Sequence, residues 1–386
     1  MDMHGLRAPL FAAAFVLGTA GAGLATPADC CLDKEATTPL KTEVIADGLD
    51  EPWAMAFLPD GSILVTEKPG AIRHIVAGEV SDPFEGLPEI EAINQGGLMD
   101  IALDPDFAEN ALIYFTYTEP SADGGDYGTA VARARLDLAG QKLEDVEVIF
   151  RASDKSSGGR HFGSRIRFNP DKTMFVTLGD RGTQMRAQDP FDHAGSVIRI
   201  NRDGSVPADN PFADGAEALA EIWSIGHRNP QGAALHPQTG ALWTLSHGAA
   251  GGDEINIAEA GLNYGWPLIS YGSNYSGARF AKGIAAEGLE QPVYYWNPSI
   301  APSGLTFYSH SAPLVPDWQG RLLAGALRAE HLSVLTLDGD SVVAEERYFA
   351  DEFGRIRDVR TGPDGAVWLL TDSSDGELIR VTQTVD

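Results

Sequence analysis

Six copies of one short unit recur along the 386-residue chain and constrain its fold more than any other feature. Each copy contains a Pro, Asp usually follows it, often with Gly, and a run of β-type residues comes next, as in 58–66, 169–177 and 362–370. Pro presets the turn dihedral, and Asp or Gly tolerates the tight bend. Each copy therefore predicts a hairpin turn that leads into a strand.

The spacing of these units predicts an all-β fold, a six-bladed β-propeller. Their prolines stand at positions 59, 105, 170, 237, 316 and 363, at intervals of 46, 65, 67, 79 and 47 residues. Such intervals suit four-stranded blades with insertions in the middle of the chain. We expect ring closure to pair residues 42–46 with the last blade, which ends at 377–381. Loops from distant parts of the sequence would then meet in one funnel.

The chain divides into three segments. Residues 8–25 are an apolar run rich in Ala and Gly that follows Arg7 and ends in the small-residue sequence 23–25. The run is weakly hydrophobic for a membrane span, which favours an export signal over 1–25 rather than a retained anchor. Residues 26–41 form an N-terminal segment, and 42–383 are expected to be a single propeller domain. The mature protein is predicted to be periplasmic or secreted, without a stable membrane span.

Charge and cysteine content exclude several classes of protein. The formal net charge of -27 argues against nucleic acid or anionic membranes as partners, because phosphate binding relies on Lys and Arg. Cys30 and Cys31 are the only cysteines, and as neighbours they are too close for ordinary disulfide geometry. Their position after the predicted cleavage site would suit lipoprotein attachment, but the preceding residues 27–29 match that motif poorly.

His161 and Asp180 are candidate catalytic residues. His161 lies in Gly-Arg-His-Phe-Gly-Ser-Arg at 159–165, and Asp180 follows one predicted strand later in 178–182. A neutral imidazole with a carboxylate near it can act as a general base with an orienting partner. A purely structural histidine is the alternative reading.

Several arginines are candidates for holding an anion. The pair Arg228-Asn229 combines a forked cation with an amide in a loop, and Arg328 is a further candidate. Arg355 and Arg357 lie two apart in a predicted strand and would project from one face, which costs energy unless they share an anion. Surface salt bridges are the alternative.

A Gly-rich loop is a candidate calcium site. Residues 246–256 carry Asp253 and Glu254 among glycines, and Tyr264 follows shortly after. Calcium takes carboxylate and carbonyl oxygens, although the spacing is not that of an EF-hand. Gln95, in Asn-Gln-Gly-Gly-Leu, could present an amide to the same funnel.

Taken in order, these motifs resemble the soluble pyrroloquinoline quinone (PQQ)-dependent aldose dehydrogenases, also called the glucose/sorbosone dehydrogenase family, over roughly residues 42–383. The resemblance is carried by the segments 94–98, 159–161, 178–180, 226–232, 252–256, 263–267, 302–304 and 354–358. It implies a six-bladed propeller with PQQ lying across the funnel.

The resemblance also implies roles for individual residues. His161 would be the base, and Asp180 would orient either that base or the sugar. Contacts to PQQ would come from Gln95, Arg228, Asn229, Arg328, Arg355 and Arg357. Calcium (Ca²⁺) would be held at Gly248, Glu254 and Tyr264, with the glycine and the tyrosine contributing main-chain oxygen.

Two positions depart from the family pattern. Arg328 stands where the family often has Lys, and Ala249 stands where Pro is common. The implied reaction converts the anomeric carbon of an aldose to a lactone, with hydride passing to PQQ and electrons then to an external acceptor. A calcium-dependent propeller hydrolase such as a lactonase is one alternative, although it has no need for four arginines facing a flat tricarboxylate. A non-catalytic binding propeller is the other.

Overall fold

The regular structure is almost entirely β, and it forms six sheets that we call blades 1 to 6. The computed structural model describes residues 26–27, 32–153 and 155–384. The predicted export signal and both cysteines lie outside the described residues. Helices in the described part are short: α1 (Phe107–Asn110) and two 3-10 turns, Gln184–Gln188 and Pro316–Trp318.

The strands follow one another blade by blade. Three strands precede the first blade: β1 (Thr26–Pro27), β2 (Asp33–Lys34) and β3 (Leu40–Leu49). Blade 1 contains β4 (Pro52–Phe57), β5 (Ile63–Glu67), β6 (Ala71–Val76) and β7 (Glu79–Val80). Blade 2 contains β8 (Leu98–Leu103), β9 (Leu112–Pro120), β10 (Tyr127–Asp137) and β11 (Lys142–Arg151). Blade 3 contains β12 (Ile166–Phe168), β13 (Met174–Thr177), β14 (Ser196–Ile200) and β15 (Ile222–Ile225).

The second half of the chain repeats this order. Blade 4 contains β16 (Pro230–Leu235), β17 (Leu242–Ser246), β18 (Asp253–Ile257) and β19 (Tyr294–Trp296). Blade 5 contains β20 (Pro302–Phe307), β21 (Leu322–Ala326), β22 (Leu332–Asp338) and β23 (Ser341–Tyr348). Blade 6 contains β24 (Ile356–Thr361), β25 (Val367–Thr371) and β26 (Gly376–Gln383).

The ring closes as the sequence predicts. Strand β3 pairs antiparallel with β26, with Val44 opposite Ile379, and so completes blade 6. The six innermost strands, the first of each blade, contact one another in a closed circle. Every Pro-containing unit lies between the first and second strands of a blade, which confirms the six predicted turns. Strands β1 and β2 add in parallel to the outer edges of blades 4 and 5.

Apolar clusters fill the wedge between each pair of neighbouring blades. One such cluster joins Trp53 and Leu64 of blade 1 to Phe115 of blade 2, and another joins Met55 of blade 1 to Trp368 of blade 6. Strands covered on both faces can read as continuous apolar runs, as the first four residues of β25 do.

Blade geometry brings distant loops to one end of the ring. Because neighbouring strands in a blade are antiparallel, the loops that enter the innermost strand and the loops between the second and third strands emerge at the same end. His161 and Arg228 lie in loops of the first kind, and Asp180 and Gly248 lie in loops of the second kind. The predicted site residues therefore converge although they are far apart in sequence.

Candidate active site

A cavity of about 280 Å³ opens among these loops. Five of the residues that line it were predicted from the sequence: Gln95, His161, Arg228, Gly248 and Arg328. Five others were not: His247, Ala249, Tyr275, Ser299 and Ala301. The remaining predicted residues are not among those that line the cavity, and the contacts of each decide what it can do.

His161 is held in an unusual backbone conformation. Its φ is +57°, in the left-handed region that few non-glycine residues adopt, and its N–H donates to Oε1 of Gln95 at 2.8 Å. Two glycines make room for this loop, because a Cβ on Gly163 would lie 2.6 Å from the Thr177 oxygen and a Cβ on Gly179 would lie 2.2 Å from the His161 oxygen. The motif glycines are therefore required by close backbone contact.

The imidazole of His161 is oriented by Asp180. Nδ1 of His161 lies 2.6 Å from Oδ1 of Asp180. Because a carboxylate can only accept, Nδ1 carries the proton and Nε2 keeps its lone pair. The N–H of Gly182 also donates to Oδ1, and Nε1 of Trp266 donates to Oδ2 at 2.7 Å. Asp180 is fully buried and satisfied by these donors, so it contacts the histidine and does not face the cavity.

Burial and neighbouring charges set the protonation of this pair. Burial lowers the pKa of His161; the Asp180 hydrogen bond opposes that effect, and the nearby cation of Arg228 adds to it. Burial alone would raise the pKa of Asp180, but the hydrogen bond from His161 and the Gly182 N–H bring it below the usual value. A neutral imidazole beside a charged carboxylate is thus the favoured state near neutral pH.

Arg228 is a partly buried cation in the cavity wall. Its Nη1 donates to the His247 carbonyl at 3.3 Å, and its guanidinium carbon lies 5.3 Å from the centroid of the Trp266 ring. Burial lowers its pKa, and Asp180 partly offsets that effect. Among the described residues, neither Arg228 nor Arg328 forms an ion pair. Both cations are therefore available to an anion in the cavity.

Arg355 and Arg357 share a carboxylate of the protein itself. Nη2 of Arg355 lies 2.6 Å from Asp372 Oδ2, and Nη2 of Arg357 lies 2.8 Å from Asp372 Oδ1. The two arginines lower the pKa of Asp372 to about 2, against the raising effect of its burial. Asp372 is the anion that these two like charges share, so their spacing does not by itself require a bound anion.

The predicted calcium residues occupy two places. Gly248 lines the cavity, and its N–H donates to Asp253 Oδ1 at 2.7 Å. Glu254 lies on β18 outside the cavity lining, and its burial raises its pKa to about 7. Tyr264 stacks on His227, with ring centroids 4.7 Å apart. No group of three or more His, Cys, Asp or Glu side chains suited to a metal occurs in the described ranges.

Unpaired polar atoms lie on the same strand pair as Glu254. Asn256 is two residues further along β18 and so shares the face of Glu254, and its cross-strand partner is Thr244. Asn256 Oδ1 and Thr244 Oγ1 are both buried without a hydrogen-bond partner in the described part of the chain. Two orphaned oxygens beside a partly buried carboxylate form an oxygen-rich environment.

Several residues with roles in this geometry escaped the sequence reasoning. Trp266 was part of a quoted motif, but nothing in the sequence showed that its indole would reach Asp180. Asp372 lies 15 residues beyond Arg357 with no local signal of their pairing. Tyr275, which no sequence motif singled out, lines the cavity and is 83% exposed.

No helix in the described ranges combines the length and apolar character that a membrane crossing needs.

Comparison with known proteins identifies the family. The model of the Glucose / Sorbosone dehydrogenase family matches residues 49–380. The chain is 46% identical to the aldose sugar dehydrogenase YliI of Escherichia coli (strain K12) over 347 residues, which cover 89% of this chain and 93% of that protein. It also matches the apo-form crystal structure of the soluble aldose sugar dehydrogenase from Escherichia coli, with a TM-score of 0.86, 45% identity and coverage of 89% and 100%.

A more distant relative carries a cofactor. The structure of the PQQ-bound form of aldose sugar dehydrogenase from Streptomyces coelicolor matches with a TM-score of 0.73 and 27% identity, over 89% of this chain and 100% of that one. The six-bladed ring, the cavity and the extent of these matches agree with the sequence motifs. The chain belongs to the glucose/sorbosone dehydrogenase family.

Proposed function

We propose that this protein oxidises the anomeric carbon of aldose sugars to lactones with PQQ as the hydride acceptor. One observation carries the proposal: the cavity wall combines the unprotonated Nε2 side of His161 with Arg228 and Arg328, two cations that have no carboxylate partner among the described residues. The names of the relatives, an aldose sugar dehydrogenase and a PQQ-bound aldose sugar dehydrogenase, support the same activity.

The donor set fits PQQ, an acceptor-rich molecule with three carboxylates. The Gln95 oxygen is taken by the His161 N–H, which leaves the Gln95 amide nitrogen to donate. The Asn229 oxygen is taken by the Gly163 N–H, which leaves the Asn229 amide nitrogen to donate. Together with the arginines, these groups offer donors and positive charge and no competing carboxylate.

Gln95, Arg228, Asn229 and Arg328 would hold the cofactor. Arg355 and Arg357 share one carboxylate between two cations, so that trio keeps a net positive charge that favours an anion nearby. When bound, PQQ supplies an electrophilic quinone carbon that accepts a hydride. Arg228 and Asn229 would stabilise negative charge that develops on the quinone oxygen in the transition state.

His161 acts as the general base in this mechanism. Its Nε2 takes the proton from the anomeric hydroxyl while the C–H bond of the same carbon breaks with loss of hydride, which leaves the lactone carbonyl. Asp180 keeps the proton on Nδ1 and stabilises the imidazolium that forms. A positioned base contributes about 10²–10⁴-fold to the rate.

Calcium is part of the proposal. The main-chain oxygen of Gly248, at the cavity wall, would hold a calcium ion that polarises the quinone. Glu254 and the main-chain oxygen of Tyr264 would hold a second, structural ion, and the orphaned oxygens of Asn256 and Thr244 beside Glu254 support an oxygen-liganded cation there.

Export and electron delivery complete the proposal. The apolar segment within residues 1–25 favours a periplasmic or secreted enzyme, which would pass its electrons to an acceptor outside the cytoplasm. The acceptor must be external to the chain, because each oxidised aldose leaves two electrons on the cofactor.

Reconstitution tests the proposed function. The purified mature chain is stripped with chelator, PQQ is added with and without calcium, and aldose-dependent reduction of an electron-accepting dye is followed. Activity that requires both additions is the expected result. Absence of both PQQ binding and dye reduction would overturn the proposal and favour the calcium-dependent hydrolase.

A further inference from the structure

A chain of hydrogen bonds leads from Asp372 to Asn229. Arg357 donates from Nε and Nη2 to Asp372 Oδ1, and its Nη1 donates to Oε1 of Gln231 at 3.1 Å. Nε2 of Gln231 then donates to Oδ1 of Asn229 and to the Gly163 carbonyl, both at 3.3 Å. The three side chains between Asp372 and the cavity loop are buried: Asn229, Gln231 and Arg357.

Only one assignment of the amide oxygen and nitrogen atoms of Gln231 and Asn229 fits this series of hydrogen bonds. A guanidinium can only donate, so the atom of Gln231 next to Arg357 must be its oxygen. A carbonyl can only accept, so the atom of Gln231 next to the Gly163 carbonyl must be its nitrogen. The Gly163 N–H can only donate, so the atom of Asn229 at 3.1 Å from it must be the oxygen. Both amides are therefore fixed by groups that cannot reverse their roles.

These hydrogen bonds also determine the direction of the amide nitrogen of Asn229. With Oδ1 held by Gly163 and Gln231, the Nδ2 group must point the other way, and it donates to no other residue in the described part of the chain. Asn229 directly follows Arg228, which lines the cavity. An amide whose ends were free could turn and offer its oxygen instead, which would repel an electron-rich quinone oxygen.

We propose that Gln231 is a positioning residue for the oxidation: anchored by Arg357, it fixes the Asn229 amide with its nitrogen toward the cofactor. This inference rests on the proposed function, and it gives Arg357 an indirect role in place of direct cofactor contact. Gln231 does not line the cavity.

Two substitutions separate orientation from packing. In Gln231→Glu the size is retained and the new carboxylate still accepts from Arg357, but it cannot donate to Asn229 Oδ1. The Asn229 amide is then expected to turn its nitrogen toward that carboxylate and away from the cofactor. In Gln231→Leu the Asn229 oxygen keeps its bond from Gly163 but loses the one from Gln231, so its orientation is only partly held. A role in packing alone predicts the opposite order of damage, because glutamate is the closer match in shape.

The expected result is a larger loss in the isosteric variant. Turnover should fall by about 10²-fold in Gln231→Glu, the scale for one preorganised donor, and by less than about tenfold in Gln231→Leu. The dissociation constant of PQQ, measured by calorimetric titration in the absence of sugar, should follow the same order. Gln319→Glu, an exposed position in blade 5 far from the cavity loops, serves as the control and should leave both values unchanged.

A double-mutant cycle tests whether Gln231 acts through Asn229. In an Asn229→Ala background, Gln231→Glu should change turnover and PQQ affinity by less than about twofold, because the group that it positions is absent. Melting temperatures of all variants separate loss of fold from loss of orientation. Equal turnover and affinity in wild type and Gln231→Glu, or an undiminished effect in the Asn229→Ala background, would overturn the inference while the proposed function stands. Failure of wild type to bind PQQ and reduce the dye would instead overturn the proposed function and, with it, this inference.

Discussion

The Nδ1 atom of His161 lies 2.6 Å from Oδ1 of Asp180, and this contact determines which ring nitrogen can act as a base. The carboxylate accepts three hydrogen bonds and is fully buried, so the proton between the two residues stays on the imidazole. The free lone pair is then on Nε2, on the side of a residue that lines the cavity.

Replacing Asp180 with Asn should disable the base without removing it. An amide can donate to Nδ1, which would move the imidazole proton to Nε2 and leave no lone pair for the substrate. We expect turnover to fall by about 10²–10⁴-fold, with PQQ affinity unchanged, in steady-state dye reduction and calorimetric titration. Asp123→Asn, in an exposed loop, is the matched control. Full turnover in Asp180→Asn would exclude this role.

Activity should decline at acidic pH with an apparent pKa below 6.5. Burial lowers the pKa of His161 from 6.5, and the base works only when neutral, so kcat/KM should stay high at pH 6.5 and fall as pH drops through the lowered value. Because the pKa of His161 is lower in the folded protein, the unfolded chain binds this proton first as the pH drops below 6.5. The free energy of unfolding therefore also decreases as the pH decreases in this range. A pH profile of kcat/KM checks this prediction. If kcat/KM of His161→Gln shows the same decrease at acidic pH, a group other than His161 causes the decrease.

Loss of Asp372 should destabilise the protein. Asp372→Asn leaves buried Arg357 and its neighbour Arg355 without their shared carboxylate, and we expect a loss of about 3 kcal/mol in the free energy of unfolding. Because the pKa of Asp372 is lowered to about 2, its contribution is present above pH 3.8 and disappears as pH falls toward 2. Urea unfolding at neutral pH, with Asp375→Asn as the exposed control, measures the difference. Equal midpoints for both variants would contradict it.

Removing the Arg328 cation should weaken the binding of PQQ. It should also make the PQQ dissociation constant less dependent on salt concentration. Arg328 is exposed at the cavity, so its attraction for an anion is screened, and we expect Arg328→Ala to raise the PQQ dissociation constant by about tenfold at low salt. Arg328→Lys should retain most of the affinity but lose the forked geometry. Titrations at two NaCl concentrations test this, with Arg135→Ala on β10 as the control. An unchanged dissociation constant in Arg328→Ala would remove this residue from the site.

Calcium should stabilise the folded protein through Glu254. The carboxylate is partly buried with orphaned oxygens near it, and a bound cation would offset the cost of its charge. Saturation at 100 times the dissociation constant corresponds to about 2.7 kcal/mol. We expect calcium to raise the melting temperature of chelator-treated wild type and of the surface control Glu109→Gln, and to do so far less in Glu254→Gln. The same calcium response in all three proteins would argue against this ligand.

The blade count and the ring closure could be predicted because their signals are local. A Pro-Asp turn and a run of β-type residues are each encoded in fewer than ten residues, and repetition of the unit reports the number of blades. Closure needed only one further pairing, between residues 42–46 and the last strand. The motifs also identified the loops that meet at the cavity, because a propeller delivers corresponding loops to one end.

The partner of each charged side chain was decided by the tertiary structure. The sequence by itself determined the architecture and placed His161, Asp180 and four arginines among the candidates. It left open whether Asp180 would face the base or the sugar, and it could not show that Arg355 and Arg357 would share the carboxylate of Asp372. Hydrogen bonds and ion pairs act over about 3 Å, and the residues that meet at this distance, such as Trp266 and Asp180, come from loops 86 positions apart. Only the closed ring brings such loops together.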